Sequence, residues 1–216
     1  TQSFKDEFGT VEVTWQNQKQ QELQLNIYLE DNEHGLNVIT HHLSFVQERP
    51  KAKMAIIVDD FGFSRNGTDE MLSIDRPLTM AVLPFRPHSL AEAKRAKELG
   101  YEVILHQPLE PINPKVNPGK GALYTKMEEA EIRKILEKNL ASLPQISGIN
   151  HHMGSKGSAD NRMMTEIMKV LKDRSLFYID SSTSPDSIGA ETATEYGVPS
   201  NQNYLFIDNI DSNHSW

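Results

Sequence analysis

The sequence contains no cysteine, which excludes disulfide bonds, thiolate metal sites and a cysteine nucleophile. It has no apolar stretch long enough to span a bilayer, and residues 1–5 lack the apolar core of a signal peptide. Basic residues are scarce, with 22 lysines and arginines against 30 aspartates and glutamates, for a formal net charge of −8. This balance argues against a nucleic-acid partner, so we expect a neutral or cationic substrate.

What is present is the composition of a folded globular protein. Hydrophobic residues make up 38% of the chain and charged residues 24%, which is typical of chains with a buried core. A chain of 216 residues can form one domain, or one domain with a small additional module. The pattern along the sequence favours the second arrangement.

The amino-terminal residues are patterned differently from the rest of the chain. Between residues 11 and 45, apolar and polar side chains alternate with the period of half-buried strands. We therefore predict a small antiparallel β module over 1–47. A polar, proline-interrupted stretch at 47–53 is interpreted as the linker to a second domain over 48–216.

From Lys53 onward, short apolar runs alternate with amphipathic stretches. Repeated strand–helix units imply right-handed crossovers and a parallel sheet or barrel, so the predicted fold class is α/β. Helices are predicted to begin near residues 89, 125, 160 and 186. The predicted strands are 54–58, 79–83, 101–105, 146–150, 176–179 and 204–207.

Acids and imidazoles recur at the carboxyl ends of these runs, where ligands bind in α/β folds. A carboxylate with two imidazoles is also a metal-ligand set that leaves positions open for water and substrate. The long loop at 107–124, rich in proline, glycine and asparagine, predicts a wall or lid over the site. The chain is thus interpreted as a metal-dependent hydrolase. The candidate residues are Asp59, Asp60, His106, His151, His152 and Asp180.

Each candidate also has a structural interpretation when it is taken alone. Either Asp59 or Asp60 can cap a helix, or one acid can bind a metal while the other acts as a base. His106 can be an ordinary structural histidine. Asp180 can stabilise an Asx turn in the polar run at 180–184.

The two adjacent histidines cannot both serve the site. Neighbouring residues of an extended segment point in opposite directions, so only one of His151 and His152 faces the ligand, and His152 is our choice. Ser155 and Ser181 are rival nucleophiles, but neither lies in a Gly-x-Ser-x-Gly elbow. A metal-assisted phosphoesterase is a third alternative, disfavoured because no phosphate cradle accompanies the ligands.

Six successive motifs resemble those of the divergent polysaccharide deacetylase family, over residues 53–209. The resemblance implies an irregular (β/α) barrel and removal of acetyl groups from N-acetylated sugars by a divalent metal, usually zinc. The motifs read VDDFG at 58–62, VLP at 82–84, LHQPLEP at 105–111, NHHMGS at 150–155, IDSSTS at 179–184 and FIDN at 206–209.

The resemblance also implies roles for individual residues. Asp59 resembles the catalytic base and Asp60 the metal-binding acid, while His106 and His152 match metal-binding histidines. His151 stands where the family is expected to have asparagine and is left out of the ligand set.

The remaining assignments concern the surroundings of the metal. Glu110 occupies the place of a second histidine in typical deacetylases and is assigned to substrate binding, together with Ser155 and Ser181. Asp180 is the other catalytic candidate.

Further expectations follow from the resemblance. The cofactor is Zn²⁺, the partner is an N-acetylated carbohydrate, and the location is extracytoplasmic; a homo-oligomer is an open alternative. The family continues past the FIDN motif, so we expect the barrel to be open at its carboxyl side and covered by the amino-terminal module or another chain. The alternative function is a non-catalytic carbohydrate or cell-wall binding protein that retains the metal site.

Overall fold

The computed structural model describes residues 2–6, 9–16, 22–31, 36–46, 53–63, 67–143 and 145–208. Contacts between residues divide the chain into two compact units, Thr1–Met54 and Ala55–Trp216. The predicted linker lies, apart from Lys53, outside the described residues.

The first unit is an antiparallel sheet of four strands that pair in chain order. Its register sets Val13 opposite Leu25, and a bulge interrupts the last pair at Ile27 and Tyr28. The alternating pattern predicted three of these strands, whereas the first, QSFKD, has too few apolar residues to show alternation. The strands are β1 (Gln2–Asp6), β2 (Gly9–Gln16), β3 (Glu22–Asp31) and β4 (Leu36–Val46).

The second unit contains a six-stranded parallel sheet whose strand order is the chain order. With right-handed crossovers, that order sets every connecting helix on one side, as in a (β/α) barrel. Within the described part of this unit the first and last strands are edges, so the sheet is open. The strands are β5 (Ile57–Phe61), β6 (Thr79–Val82), β7 (Glu102–Leu109), β8 (Gly148–Met153), β9 (Phe177–Asp180) and β10 (Ser200–Gln202).

Four of the helices correspond to the predicted ones, and a single-turn helix, α1, was not predicted. Two begin later than expected, and in each a carboxylate binds a residue ahead of the helix: Glu110 accepts from the Thr125 amide and Asp180 from the Ser187 hydroxyl. No described helix is long and apolar enough to cross a membrane. The helices are α1 (Thr68–Met71), α2 (Ser89–Glu98), α3 (Glu129–Ala141), α4 (Asn161–Asp173) and α5 (Gly189–Tyr196).

The strand predicted at 204–207 is wrong. The last strand, β10, lies earlier and pairs with β9, and the amide of Asn203 donates to the carbonyl of Asp180 at 2.8 Å where the pairing ends. Residues 204–207 have no strand partner among the described residues, and Tyr204 is 78% exposed. An apolar run does not form a strand without a neighbouring strand to complete its hydrogen bonds.

The core lies between the sheet and its helices. The central strands β6 and β7 are buried over nearly their whole length, as expected for parallel strands covered on both faces. The largest fully buried side chains are Tyr178, Met80, Ile104, Leu105, Leu109, Leu123, Ile132, Leu136, Ile149, Met163, Met164 and Ile167.

A buried amide pair fixes the loop predicted to be a wall or lid. Asn139 of α3 donates to the side-chain oxygen of Gln107 in β7 and to the carbonyl of Gly121, each at 2.7 Å. Gln107 donates to the same carbonyl at 3.0 Å. Gly121 has a φ of 83°, and a Cβ there would lie 2.6 Å from the Asn139 oxygen. The loop is therefore attached to the core, as a wall requires.

We expect Asn139→Ala to lower the free energy of unfolding by about 1–3 kcal/mol, because it leaves the buried Gln107 side-chain oxygen without its donor and removes one of the two donors to the Gly121 carbonyl. Urea denaturation measures the change. Asn161→Ala, at the exposed start of α4, is the matched control and should change stability by less than about 0.5 kcal/mol. Equal effects of the two substitutions would show that the buried amide does not hold the loop.

Candidate metal centre and active site

The end of β5 brings two adjacent acids to the same edge of the sheet. In a regular strand, neighbouring side chains point to opposite faces. Here the register shifts between Val58 and Phe61, and Asp60 adopts a φ of 61°, so the alternation is broken. Asp59 and Asp60 thereby both reach side chains of β7 and β8. Backbone strain of this kind is common at functional sites.

Asp60, His106 and His152 form a cluster with the geometry of a metal site. The Asp60 Oδ1 lies 3.4 Å from the His106 Nε2 and 3.0 Å from the His152 Nδ1. The two ring nitrogens are 3.3 Å apart. Ligands about 2.0–2.1 Å from one tetrahedral ion lie about 3.3 Å from each other, so the three atoms fit a single cation.

The charges of this cluster suit a cation. Hydrogen bonds to His106 and His152 hold the pKa of the Asp60 carboxyl well below its usual range, against the opposing effect of burial. Burial lowers the pKa of His106, but contacts with Asp60, Asp59 and Asn150 outweigh it and raise that pKa overall. Two carboxylates therefore supply negative charge around a buried imidazole.

Asn150 connects the cluster to Asp59. Its amide nitrogen donates to the Asp59 Oδ1 at 2.9 Å, and its amide oxygen lies 2.8 Å from the His106 Nδ1. Because a carboxylate only accepts, the amide orientation is fixed, and the His106 Nδ1 must be the donor in the second bond. The His106 Nε2 is then the unprotonated nitrogen that faces Asp60 and His152, as a metal ligand requires.

The two adjacent histidines of β8 point to opposite sides of the sheet. His152 shares a face with Asn150, whereas His151 is buried, with its Nδ1 2.9 Å from the Tyr178 hydroxyl. Ser181 lies beside the same strand: its hydroxyl donates to the His151 carbonyl at 2.7 Å and accepts from the His151 amide at 3.2 Å. Ser181 is thus engaged in holding β8.

Asp180 binds the backbone that starts α5. One carboxylate oxygen accepts from the Ser182 amide at 2.8 Å, and the other accepts from the Ser187 hydroxyl at 2.7 Å and the Ala190 amide at 3.1 Å. It lies 4.0 Å from the His151 Nε2, on the side away from the metal ligands. Burial lowers the pKa of His151 to about 4, although this carboxylate opposes the shift, so the ring is neutral at neutral pH.

Glu110 and Ser155 hold the long loop in place. The Glu110 Oε2 accepts from the amide and hydroxyl of Thr125, both at 2.7 Å, and its Oε1 pairs with the Lys156 ammonium at 2.7 Å. The Ser155 hydroxyl accepts from the Ile112 amide at 3.0 Å. Both side chains therefore have partners within the protein, and these contacts shape the wall beside the site.

A cavity of about 580 Å³ opens at the two acids. This volume lies in the range of small-molecule sites, roughly 300–1,000 Å³. Among the described residues, its lining combines Asp59 and two members of the cluster, Asp60 and His152, with apolar groups, an amide and one guanidinium. The lining residues are Val58, Asp59, Asp60, Phe61, Phe63, Gly67, Thr68, Met71, Leu83, Arg86, Asn117, His152 and Met153.

Asn150 and Arg86 were not among the candidates predicted from the sequence. Asn150 lies two residues before His152, and the period of a strand sets both on one face, so this spacing is a signal that points to it. Arg86 follows β6 by a few residues, and its position beyond a strand end is a weaker signal of the same kind.

Comparisons of the sequence with known proteins identify a matching family. The family model described as divergent polysaccharide deacetylase matches residues 56–215. An uncharacterized protein of Haemophilus influenzae is 31% identical over 76% of this chain and 57% of its own length. The uncharacterized protein YibQ of Escherichia coli is 32% identical over 72% of this chain and 49% of its own length. The chain thus spans about half the length of these curated relatives.

A solved structure shows the same fold. This chain superposes on the crystal structure of an uncharacterized protein from Agrobacterium tumefaciens C58 with a TM-score of 0.67, at 23% sequence identity. The superposition covers 72% of this chain and 64% of that one. The motifs at the strand ends and the family match cover the same part of the sequence. The chain belongs to the divergent polysaccharide deacetylase family.

Proposed function

We propose that the protein is a divalent-metal-dependent hydrolase that removes acetyl groups from N-acetylated amino sugars. The proposal rests on the convergence of Asp60, His106 and His152, whose facing oxygen and nitrogen atoms are 3.0–3.4 Å apart. The carboxylate of Asp59 lies beside them and is not one of the proposed ligands. Membership of a family related to metal-dependent deacetylases supports the same chemistry. By its substrate class, the protein would act at the cell envelope.

The donor set favours zinc. Two imidazole nitrogens and one carboxylate oxygen are ligands that Zn²⁺ accepts, and three protein ligands leave a position for water or substrate. Asp60, His106 and His152 would hold the ion, which would supply Lewis-acid polarisation of a carbonyl and make water more acidic.

Asp59 is the proposed base. Its Oδ1 accepts from the Asn150 amide, while no hydrogen bond from another described residue occupies its Oδ2. The carboxylate lines the cavity, so the Oδ2 can take a proton from the attacking water. Asn150 fixes the orientation of this carboxylate and the tautomer of His106 at the same time.

The amine leaving group also needs a proton. Apart from the ligands, Asp59 and Arg86 are the ionisable side chains among the described residues that line the cavity. A guanidinium does not donate a proton at neutral pH. Asp59, protonated in the first step, is therefore the proposed source of the proton for the amine nitrogen.

Separate substitutions distinguish the ligand from the base. We expect Asp60→Asn and His152→Ala to lose stoichiometric zinc, measured by elemental analysis after dialysis. We expect Asp59→Asn to keep the metal and to lose acetate release from N-acetylglucosamine oligomers by about 10²–10⁴-fold, because a general base is removed. Asp75→Asn, at an exposed turn, is the matched control and should change neither quantity.

The outcomes separate the alternatives. Full zinc occupancy in Asp60→Asn would overturn the ligand assignment, and acetate release that survives a chelator would overturn the metal mechanism. Wild-type protein that holds zinc and binds the oligomers, yet releases no acetate, would identify a non-catalytic carbohydrate-binding protein.

Asn150 offers a second test, because its two hydrogen bonds can be removed selectively. Asn150→Ala removes both bonds, and we expect zinc affinity to fall about 10–100-fold, as for other groups that orient metal-binding histidines. Asn150→Asp keeps an acceptor for the His106 Nδ1 but sets a carboxylate against Asp59, so it should retain more zinc affinity than Asn150→Ala while it loses acetate release. Competition with a zinc-binding dye measures affinity.

Asn161→Ala, at an exposed position at the start of α4, is the control for this test and should bind zinc as the wild type does. Equal zinc affinity in Asn150→Ala and the wild type would show that the amide does not orient the ligand.

A further inference from the structure

Among the described residues that line the cavity, Arg86 contributes the one guanidinium. This residue belongs to the turn that follows β6, and the turn is held in one conformation. Phe85 adopts a φ of 55°, which is uncommon for an aromatic residue. The Arg86 amide donates to the Ser89 hydroxyl at 3.0 Å, and that hydroxyl donates in turn to the Leu83 carbonyl.

Two contacts hold the guanidinium itself. Its central carbon lies 5.0 Å from the ring centroid of Phe63, a stacked cation–π arrangement. The chain passes against it at Gly119, where a Cβ would lie 2.2 Å from the Nη2 of Arg86. The φ of Gly119 is 99°, so glycine meets both the steric and the backbone requirement. The Phe63 ring and the backbone at Gly119 thus both pack against the Arg86 guanidinium.

The guanidinium has no carboxylate partner among the described residues. Ring and backbone contacts hold it, and its N–H donors are left for another group. An arginine that lines a cavity, contacts an aromatic ring and forms no ion pair with a described residue is suited to bind a planar anion through paired hydrogen bonds.

Two further cations lie beside the same turn. The ammonium groups of Lys120 and Lys138 are 5.4 Å and 5.7 Å from the ring centroid of Phe85. The residue after Phe85 is Arg86, so this turn carries or contacts three positive side chains in a protein whose formal net charge is −8. This local charge favours an anionic group at the wall of the cavity.

We propose that Arg86 is a specificity-determining residue that binds a carboxylate of the sugar chain, so the substrate is an acidic N-acetylated saccharide. The inference rests on the proposed function, because it takes the cavity at the metal cluster to be the substrate site. This acidic substrate differs from the neutral or cationic one that the net charge alone suggests. Salt screens distant surface charges, so the charges nearest to a bound anion have the largest effect on its binding.

The test uses a matched pair of ligands and the whole zinc-loaded chain. The probes are hyaluronan oligosaccharides, in which N-acetylglucosamine alternates with glucuronate, and the same oligosaccharides with their carboxyl groups methyl-esterified. Calorimetry measures binding, and acetate release is followed in parallel. We expect the wild type to bind the acid form at least about tenfold more tightly than the ester, as for a charge-assisted bidentate pair.

The variants assign this preference to one side chain. Arg86→Gln should bind acid and ester with equal affinity. Arg86→Lys should keep part of the preference, because it retains the charge but loses the planar fork. Arg76→Gln makes the same chemical change at an exposed position outside the cavity and should keep the full preference. Thermal unfolding of each variant checks that the fold is retained.

The outcomes keep this inference apart from the hydrolase proposal. A wild type that binds acid and ester equally, or an Arg86→Gln variant that keeps the preference, would overturn the inference even if acetate is released. An Arg86-dependent preference with no acetate released from either probe would support carboxylate recognition and would count against hydrolysis.

Discussion

The parallel register between β7 and β8 is the constraint on which the candidate site depends. It sets His106 beside Asn150 and Pro108 beside His152. The side chains of His106, Asn150 and His152 therefore share one face of the sheet. A slip of one residue would turn His151 toward the cluster and bury His152. The buried contacts of His151 with Tyr178 and Ser181 act against that slip, because the other face of the strand has its own fixed partners.

The acids of β5 come to the site in a different way. A regular strand would bring only one of Asp59 and Asp60 to the cluster, and the broken register with a left-handed Asp60 brings both. Such a backbone conformation costs of order 1–3 kcal/mol and persists only when surrounding contacts hold it. The imidazoles of His106 and His152 provide those contacts to Asp60, and the Asn150 amide provides one to Asp59.

Much of the fold was predictable from the sequence because burial and chain order dictate it. Buried apolar runs identified the strands from β5 to β9. Asp60, His106 and His152 follow the predicted runs closely, and the structure extends the strands to include them. Hydrogen bonds from side chains to nearby backbone groups could not be predicted from burial and chain order. Asp180, which was predicted to be catalytic, binds the backbone at the start of α5. The apolar run at 204–207 was wrongly predicted to be a strand, because a strand also needs a neighbouring strand to complete its backbone hydrogen bonds.

Chemistry and specificity are carried by different parts of the second unit. The metal cluster lies on strands, whose register fixes it, whereas Arg86 and Gly119 lie on a turn and a loop that the core supports through Asn139 and Gln107. Loops change with little cost to a sheet, so the charge beside the cavity can vary while the cluster stays intact. A net charge of −8 therefore describes the chain as a whole, and under our proposal Arg86 sets the local charge that a substrate meets.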